Sequence, residues 1–220
     1  MISESKNFIF IHIPKTGGNS IQSILQKYSE DQIITKAKYQ DGIERFEIGN
    51  KNYNYRKHAK LIDYKKELKP ELYKGMFKFA VVRNPWDRLI SYYFSPHRGI
   101  KEFDRNNFKK MINQIPILGY FTTEIKLTDR VKNKLGLNYK VYRSLDKDVD
   151  FYIRFENIEE DFKELCRKLD IPFESLPRYN KSEKNHYSSY YDNELIELVA
   201  KKFKQEIDFF KYEFEMTANQ

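Results

Sequence analysis

Two short segments carry residue types that bind and stabilise anions. One is Ile13-Pro14-Lys15-Thr16-Gly17-Gly18-Asn19-Ser20; the other is Val82-Arg83-Asn84-Pro85-Trp86-Asp87-Arg88-Leu89-Ile90-Ser91. In the first, a glycine turn leads into a helix-like run. The N–H groups that open a helix, and the positive end of its dipole, then face whatever sits in the turn. Lys15 adds a full charge there, and Thr16 and Ser20 add hydroxyl donors. In the second, Arg83 closes an apolar run, and a guanidinium at such a strand end pairs bidentately with phosphate. Ser91 adds a hydrogen bond only if the ligand lies along the helix flank. This is not a Walker A box, because Lys15 precedes the glycines instead of following them. Nor does an apolar strand ending in Asp supply a carboxylate for magnesium. Both points argue against an ATP-hydrolysing P-loop protein. A nucleotide kinase remains one alternative, and a non-enzymatic module for anionic glycan or nucleic acid another.

The elements that must hold these segments follow from periodicity. Residues 8–13 are almost continuously apolar and β-branched, which suits a central parallel strand buried on both faces. After the glycines, Ile21, Ile24, Leu25 and Tyr28 recur with helical spacing. The same grammar returns at residues 77–82. Asn84 is a good N-cap, Pro85 fits the first helical position, and Asp87 stands where a capping-box acid would. Trp86, Leu89, Ile90, Tyr93 and Phe94 make that helix's apolar face, so Trp86, Tyr92 and Tyr93 are read as core. A third strand at 151–155 leads into a helix over 158–169, and Leu195, Leu198, Val199 and Phe203 mark a last helix. Strands alternating with helices imply an α/β fold with a central, mostly parallel sheet flanked by helices. Residues 39–55 and 122–149 are polar and weakly periodic, and read as loops or insertions.

Composition sets the frame. The chain has 220 residues, 17 Tyr and 17 Phe, enough aromatic bulk for a sizeable core despite 33% charged residues. One domain spanning 1–220 is expected. The net charge of +8 favours anionic partners. Cys166 is the one cysteine, so no internal disulfide forms, and its place in the stripe Ile158, Phe162, Leu165, Cys166, Leu169 makes it a core residue. No leader-like segment and no run of about 18 apolar residues is present. A cytoplasmic protein is expected, with membrane contact at most peripheral.

Further segments appear in order: Lys57-His58-Ala59, Phe77-Lys78-Phe79-Ala80-Val81-Val82 before Arg83, Arg154-Phe155-Glu156-Asn157, and Leu176-Pro177-Arg178-Tyr179-Asn180-Lys181-Ser182. Together with the first two motifs, this series resembles the carbohydrate sulfotransferases that use 3′-phosphoadenosine 5′-phosphosulfate (PAPS). That family includes heparan sulfate 2-O-sulfotransferases, chondroitin-type enzymes and bacterial relatives. The resemblance runs from Phe8 to about Phe214. It implies a P-loop-like fold in which residues 13–20, with Lys15, Thr16, Gly17, Gly18, Asn19 and Ser20, bind the 5′-phosphosulfate. Arg83 and Ser91 would bind the 3′-phosphate, and the loop at Asn180, Lys181 and Ser182 would close over the nucleotide. The expected reaction moves a sulfuryl group to a carbohydrate hydroxyl, on a bacterial surface glycan or its precursor, and releases adenosine 3′,5′-bisphosphate (PAP). Asn19 stands where relatives often have Thr or Ala, and the Lys-rich stretch 126–147 replaces their short approach to Arg154.

Within that reaction, Lys15 would neutralise the leaving phosphate oxygen and no metal is required; no metal-ligand cluster is evident. The acceptor hydroxyl needs a base, usually His near neutral pH. His58 takes this role, because the family places a catalytic His in the corresponding segment. His12, inside the first strand, reads as structural; His97 is a reserve base; His186 has no evident role; Glu44 or Glu47 is a carboxylate alternative. Arg154 and Glu156 follow a strand and either bind substrate or, the preferred reading, form a structural ion pair at the sheet edge. Tyr187, Tyr190 and Tyr191 are candidates for stacking on adenine or sugar. The acceptor itself is not identified by the sequence, though the basic charge leans toward an acidic polymer. Nucleic acid is not expected as a partner.

Overall fold

The computed structural model describes residues 1–40, 43–115, 119–121, 148–177 and 185–216. In chain order the elements are β1 (Ile2–Ser3), β2 (Phe8–Ile11), α1 (Gly18–Leu25), β3 (Gln32–Gln40), β4 (Ile43–Gly49), α2 (Leu61–Glu67), α3 (Pro70–Gly75), β5 (Phe77–Val82), α4 (Pro85–Tyr93), α5 (Arg105–Gln114), β6 (Phe151–Arg154), α6 (Ile158–Lys168), α7 (Asn193–Lys202) and α8 (Lys204–Phe210). The main sheet has the order β1-β2-β5-β6. β2, β5 and β6 run parallel, and β1 pairs antiparallel at one edge.

Strand alternation sorts the core into two layers. Phe8, Phe10, Phe79, Val81 and Ile153 share one cluster with Ile21, Ile24 and Leu25 of α1 and Phe162, Leu165 and Cys166 of α6. Their neighbours Ile9, Ile11, Ala80 and Val82 join the other, with Trp86, Leu89, Ile90 and Tyr93 of α4, Leu61 and Tyr64 of α2, and Leu195 and Val199 of α7. Successive side chains of a strand point to opposite faces, so a strand apolar at every position needs a helix layer on each side. The fold is therefore α/β with a central, mostly parallel sheet between helices, as the sequence implies. Each fully buried Ile, Leu or Phe contributes about 1.5–3 kcal/mol. Cys166 belongs to this core, where burial raises its thiol pKa to about 11.

Residues 39–40 and 43–49 are strand, not loop: β3 and β4 pair antiparallel outside the main sheet, with register shifts between Thr35 and Ala37 and again before Gln40. Asp87 does not close a capping box. The Asn84 side chain does accept from Trp86 N–H at 3.1 Å, but the Asn84 N–H goes to Glu156 Oε1 at 2.6 Å, and Asp87 turns to Arg83. α2, α3, α5 and α8 are helices the periodicity reading did not pick out. The 122–147 part of the second expected insertion, including the Lys-rich stretch, lies outside the described residues. Among the described residues no helix is long and apolar enough to cross a membrane.

The C-terminal end of the sheet is braced from afar. Arg88 on α4 makes two bonds to Glu206 on α8, at 2.6 and 2.8 Å, and Glu206 is only 2% exposed. Past α8, the Glu213 carbonyl accepts from Asn84 Nδ2 at 2.8 Å, and Phe214 packs edge-on against Trp86.

Candidate active site

The first anion segment lies where β2 ends and α1 begins, at the C-terminal edge of the parallel sheet where ligands of open α/β folds bind. Gly17 opens α1 at φ 82, a left-handed conformation without penalty for glycine. Ser20 N–H reaches back to Gly17 O at 3.1 Å, and the backbone N–H groups of Thr16, Gly17, Gly18 and Asn19 take no acceptor among the described residues. These are the orphan donors of a helix start, available to an anion. Thr16 is buried, and its hydroxyl donates to Ile13 O at 2.9 Å, so it shapes the turn. Asn19 and Ser20 are half-buried at the start of α1. Lys15 is also half-buried and has φ 67. Left-handed backbone costs a residue with a Cβ about 1–2 kcal/mol. Lys15 O accepts from Arg83 Nη1 at 3.0 Å, which helps to hold that conformation.

Beneath the loop lies His12. A Cβ on Gly18 would sit 2.5 Å from His12 Cδ2 and 2.6 Å from His12 Nε2. That ring cannot step aside: it is 3% exposed, and its Nδ1 is 2.8 Å from Gln22 Oε1. Gly18→Ala is therefore expected to cost about 1–3 kcal/mol through overpacking. Denaturant unfolding measures this directly, and an unchanged midpoint would mean the ring yields.

His58 meets the same strand end. Its Nδ1 lies 2.8 Å from the His12 carbonyl, which can only accept, so Nδ1 carries the proton. The remaining nitrogen, Nε2, is then the basic one. The two imidazoles pack edge to face at 4.8 Å. Desolvation, foremost, lowers the pKa of both rings, fully for buried His12 and in part for His58, which is exposed at the cleft; for His12 the neighbouring His58 and then Lys57 add to the effect, and for His58 Lys57 does. His12 is held well below the ordinary value of 6.5, so both rings are neutral at pH 7. A group whose folded pKa is depressed binds its proton more readily in the unfolded chain. Stability from His12 is thus present above about pH 6.5 and lost as pH falls below it, by up to about 1.36 kcal/mol per pH unit. His12→Asn keeps an N–H for Gln22 but does not titrate. Unfolding free energies between pH 6.5 and 5 should fall less steeply in this variant than in the native chain; parallel slopes would refute the assignment.

A cleft of about 490 Å³ opens beside His58, lined also by Glu47 of β4, Asn54, Arg56, Asp63, Lys66 and Glu67. Three carboxylates and two cations share this wall, so the chain's overall positive charge is not repeated there. Glu47 Oε2 accepts from Lys57 N–H at 3.3 Å, and the Lys57 ammonium lies 3.5 Å from the Phe46 ring centre. The structure thus brings Glu47 to His58. His97, by contrast, is exposed on a short turn with its ring against Tyr92, and His186 caps the turn Tyr187–Tyr190 through Ser188 N–H.

In the second anion segment, Arg83 Nε and Nη2 bond both oxygens of Asp87 at 2.7 and 2.9 Å. The guanidinium carbon lies 3.9 Å from the centre of the Phe155 ring. Ser91 is half-buried two turns along α4. Arg154 and Glu156 bond other groups rather than each other. Arg154 Nη2 donates to Phe210 O, while Glu156 takes the Asn84 N–H and accepts from Tyr212 OH at 3.5 Å. Tyr187 is buried and Tyr191 half-buried against Phe214, and half-buried Tyr190 packs on Phe94 and Phe103. Tyr191 also donates to Trp86 O at 2.8 Å. Tyr187 thus belongs to the core, as Trp86 and Tyr93 do, and Tyr190 and Tyr191 pack against it with part of each ring exposed. Asn180, Lys181 and Ser182 lie outside the described residues, as does the side chain of Glu44.

Sequence reasoning missed the part played by Asp87, Phe155 and Gln22. Asp87 was visible as an acid four residues beyond an Arg. Nothing in the spacing joins Gln22 to His12, or Phe155 to Gly17, because both contacts arise only when strands and helices pack.

The sequence profile of the sulfotransferase family matches residues 1–213, and the chain belongs to that family. An uncharacterized protein of Archaeoglobus fulgidus is 29% identical over 120 residues, 53% of this chain and 87% of its own length. A crystal structure of mouse sulfotransferase SULT7A1 complexed with PAP aligns with 96% of this chain and 90% of its own, at 14% identity and a TM-score of 0.44.

Proposed function

We propose that the chain transfers the sulfuryl group of PAPS to a hydroxyl of a carbohydrate, a surface glycan or its precursor, acting in the cytoplasm before export. The observation that carries this reading is the placement of His58. It hydrogen-bonds the residue leading into the anion loop and lines the adjoining cleft, so a base stands between a donor site and an acceptor site. His58 Nε2 takes the acceptor's hydroxyl proton as that oxygen bonds to sulfur. The bond from sulfur to the 5′-phosphate oxygen breaks, and Lys15 with the N–H groups of residues 16–19 receives the charge left on that oxygen. Arg83 and Ser91 take the 3′-phosphate in this scheme, and the loop with Asn180, Lys181 and Ser182 covers the nucleotide. The cleft's mixed amide, carboxylate and cationic lining supports a polyhydroxylated acceptor whose reacting end is not strongly anionic.

The test is thermal stability with PAP against ATP plus magnesium. Ligand at 100 times its Kd adds about 2.7 kcal/mol of stability. A rise with PAP alone, followed by transfer of labelled sulfate from PAPS to sugar acceptors, supports the proposal. No response to PAP, or preference for ATP and magnesium, overturns it in favour of a kinase or a binding module.

A further inference from the structure

We infer that Asp87 is a positioning residue for both ends of the nucleotide site, acting through Arg83; this rests on the reading of the site given above. A guanidinium has five N–H donors. Three are committed within the protein: Nε and Nη2 to the Asp87 carboxylate, and Nη1 to Lys15 O. The Asp87 fork fixes the guanidinium in its plane, and the Phe155 ring supports its face at 3.9 Å. The far end of the group grips the carbonyl of Lys15, the loop residue whose left-handed backbone most needs an external hold. Phe155 also backs the loop directly, since a Cβ on Gly17 would lie 3.0 Å from Phe155 Cδ2. One carboxylate, one guanidinium and one ring thus form a continuous brace from α4 to the start of α1.

Two N–H groups of Arg83 remain for an anion. Arg83 then binds the 3′-phosphate with one part of its fork and shapes the 5′-phosphate loop with another. Asp87 is released for this duty because Glu156 already caps Asn84. The consequence is specific. If Arg83 served only as a 3′-phosphate ligand, disturbing it would weaken nucleotides that carry that phosphate and leave others alone. If Asp87 and Arg83 brace the loop, a nucleotide with a 5′-phosphate only must weaken as well.

The experiment compares PAP with AMP, which differ by the 3′-phosphate, on the native chain, Asp87→Asn and Arg83→Lys. Asp87→Asn keeps the side chain's shape but loses the charge. Arg83→Lys keeps a cation for phosphate but cannot hold a carboxylate fork and the Lys15 carbonyl together. Both variants are expected to weaken AMP, and PAP as well, by roughly tenfold or more, the scale of a lost charge-assisted bond. In the ligand-free protein, the Ser20 amide, which donates to Gly17 O across the loop, should exchange with solvent faster in Asp87→Asn, while amides of β5 and α6 keep native protection. AMP affinity unchanged in both variants, or Ser20 amide exchange unchanged in Asp87→Asn, overturns the brace. Failure of the native chain to bind PAP overturns the functional reading instead, and the exchange result still decides the brace.

Discussion

Lys15→Ala is expected to lower kcat about 10²–10³-fold, a barrier increase of about 2.7–4 kcal/mol, with a much smaller change in PAP affinity. Transfer separates charge onto the bridging phosphate oxygen, and a fixed cation beside that oxygen matters more in the transition state than in the bound substrate. At φ 67, Ala bears the same left-handed penalty as Lys, and the Arg83 bond goes to the backbone carbonyl, which Ala retains. The loop should therefore keep its shape while losing its ammonium. Single-turnover transfer from PAPS, paired with the PAP-induced rise in melting temperature, checks both halves. A kcat within threefold of native would show that the leaving oxygen is stabilised by the loop's N–H groups alone.

His58→Asn should lower kcat/KM by about 10²–10⁴-fold, the usual range for a general base. Asn can still donate to the His12 carbonyl, so the fold is expected to survive. In the native enzyme the acid limb of kcat/KM should fall below about pH 6.5, because burial lowers the His58 pKa and only the neutral ring accepts a proton. Activity is therefore retained at pH 7 and lost as pH drops through that lowered value. Glu47→Gln is the discriminating companion. It removes a carboxylate that favours protonated His58, so the acid limb should move further down while the rate on the plateau changes little. A collapse of the plateau in Glu47→Gln, with His58→Asn nearly active, would transfer the base to the carboxylate.

The three parallel strands and the helices that follow them were legible because a strand buried on both faces is apolar at every position, and a helix packed on one face is apolar every third or fourth. Phe77–Val82 comes out of the sequence with its bounds intact. β3 and β4 did not, because their residues are neither wholly apolar nor cleanly alternating, and they pair outside the main sheet. The legible signal was Asp41-Gly42 between two runs rich in β-forming residues, a pairing that favours hairpins. The two candidate anion segments were equally visible, because a Gly-rich, Lys-bearing turn and an Arg at a strand end are local features. What spacing could not convey was who holds them. Tyr187, Tyr190 and Tyr191 look like a stacking platform in a polar stretch, yet Phe214, Phe94 and Phe103, from distant parts of the chain, each pack against one or more of them. Asp87 looks like a cap, yet the cap comes from Glu156, 72 residues away.

The bond from Asn84 to Glu213 spans 129 residues, and the one from Arg83 to Lys15 spans 68. Contacts so far apart in sequence close late, after local helices and hairpins have formed. A partly collapsed chain can therefore own most of its secondary structure and still lack a place for nucleotide. Affinity for PAP then becomes a readout of complete folding: the ligand selects the finished molecule and leaves half-assembled ones unrewarded. In a refolding experiment, nucleotide binding should return with the slowest phase, well after helical signal has recovered.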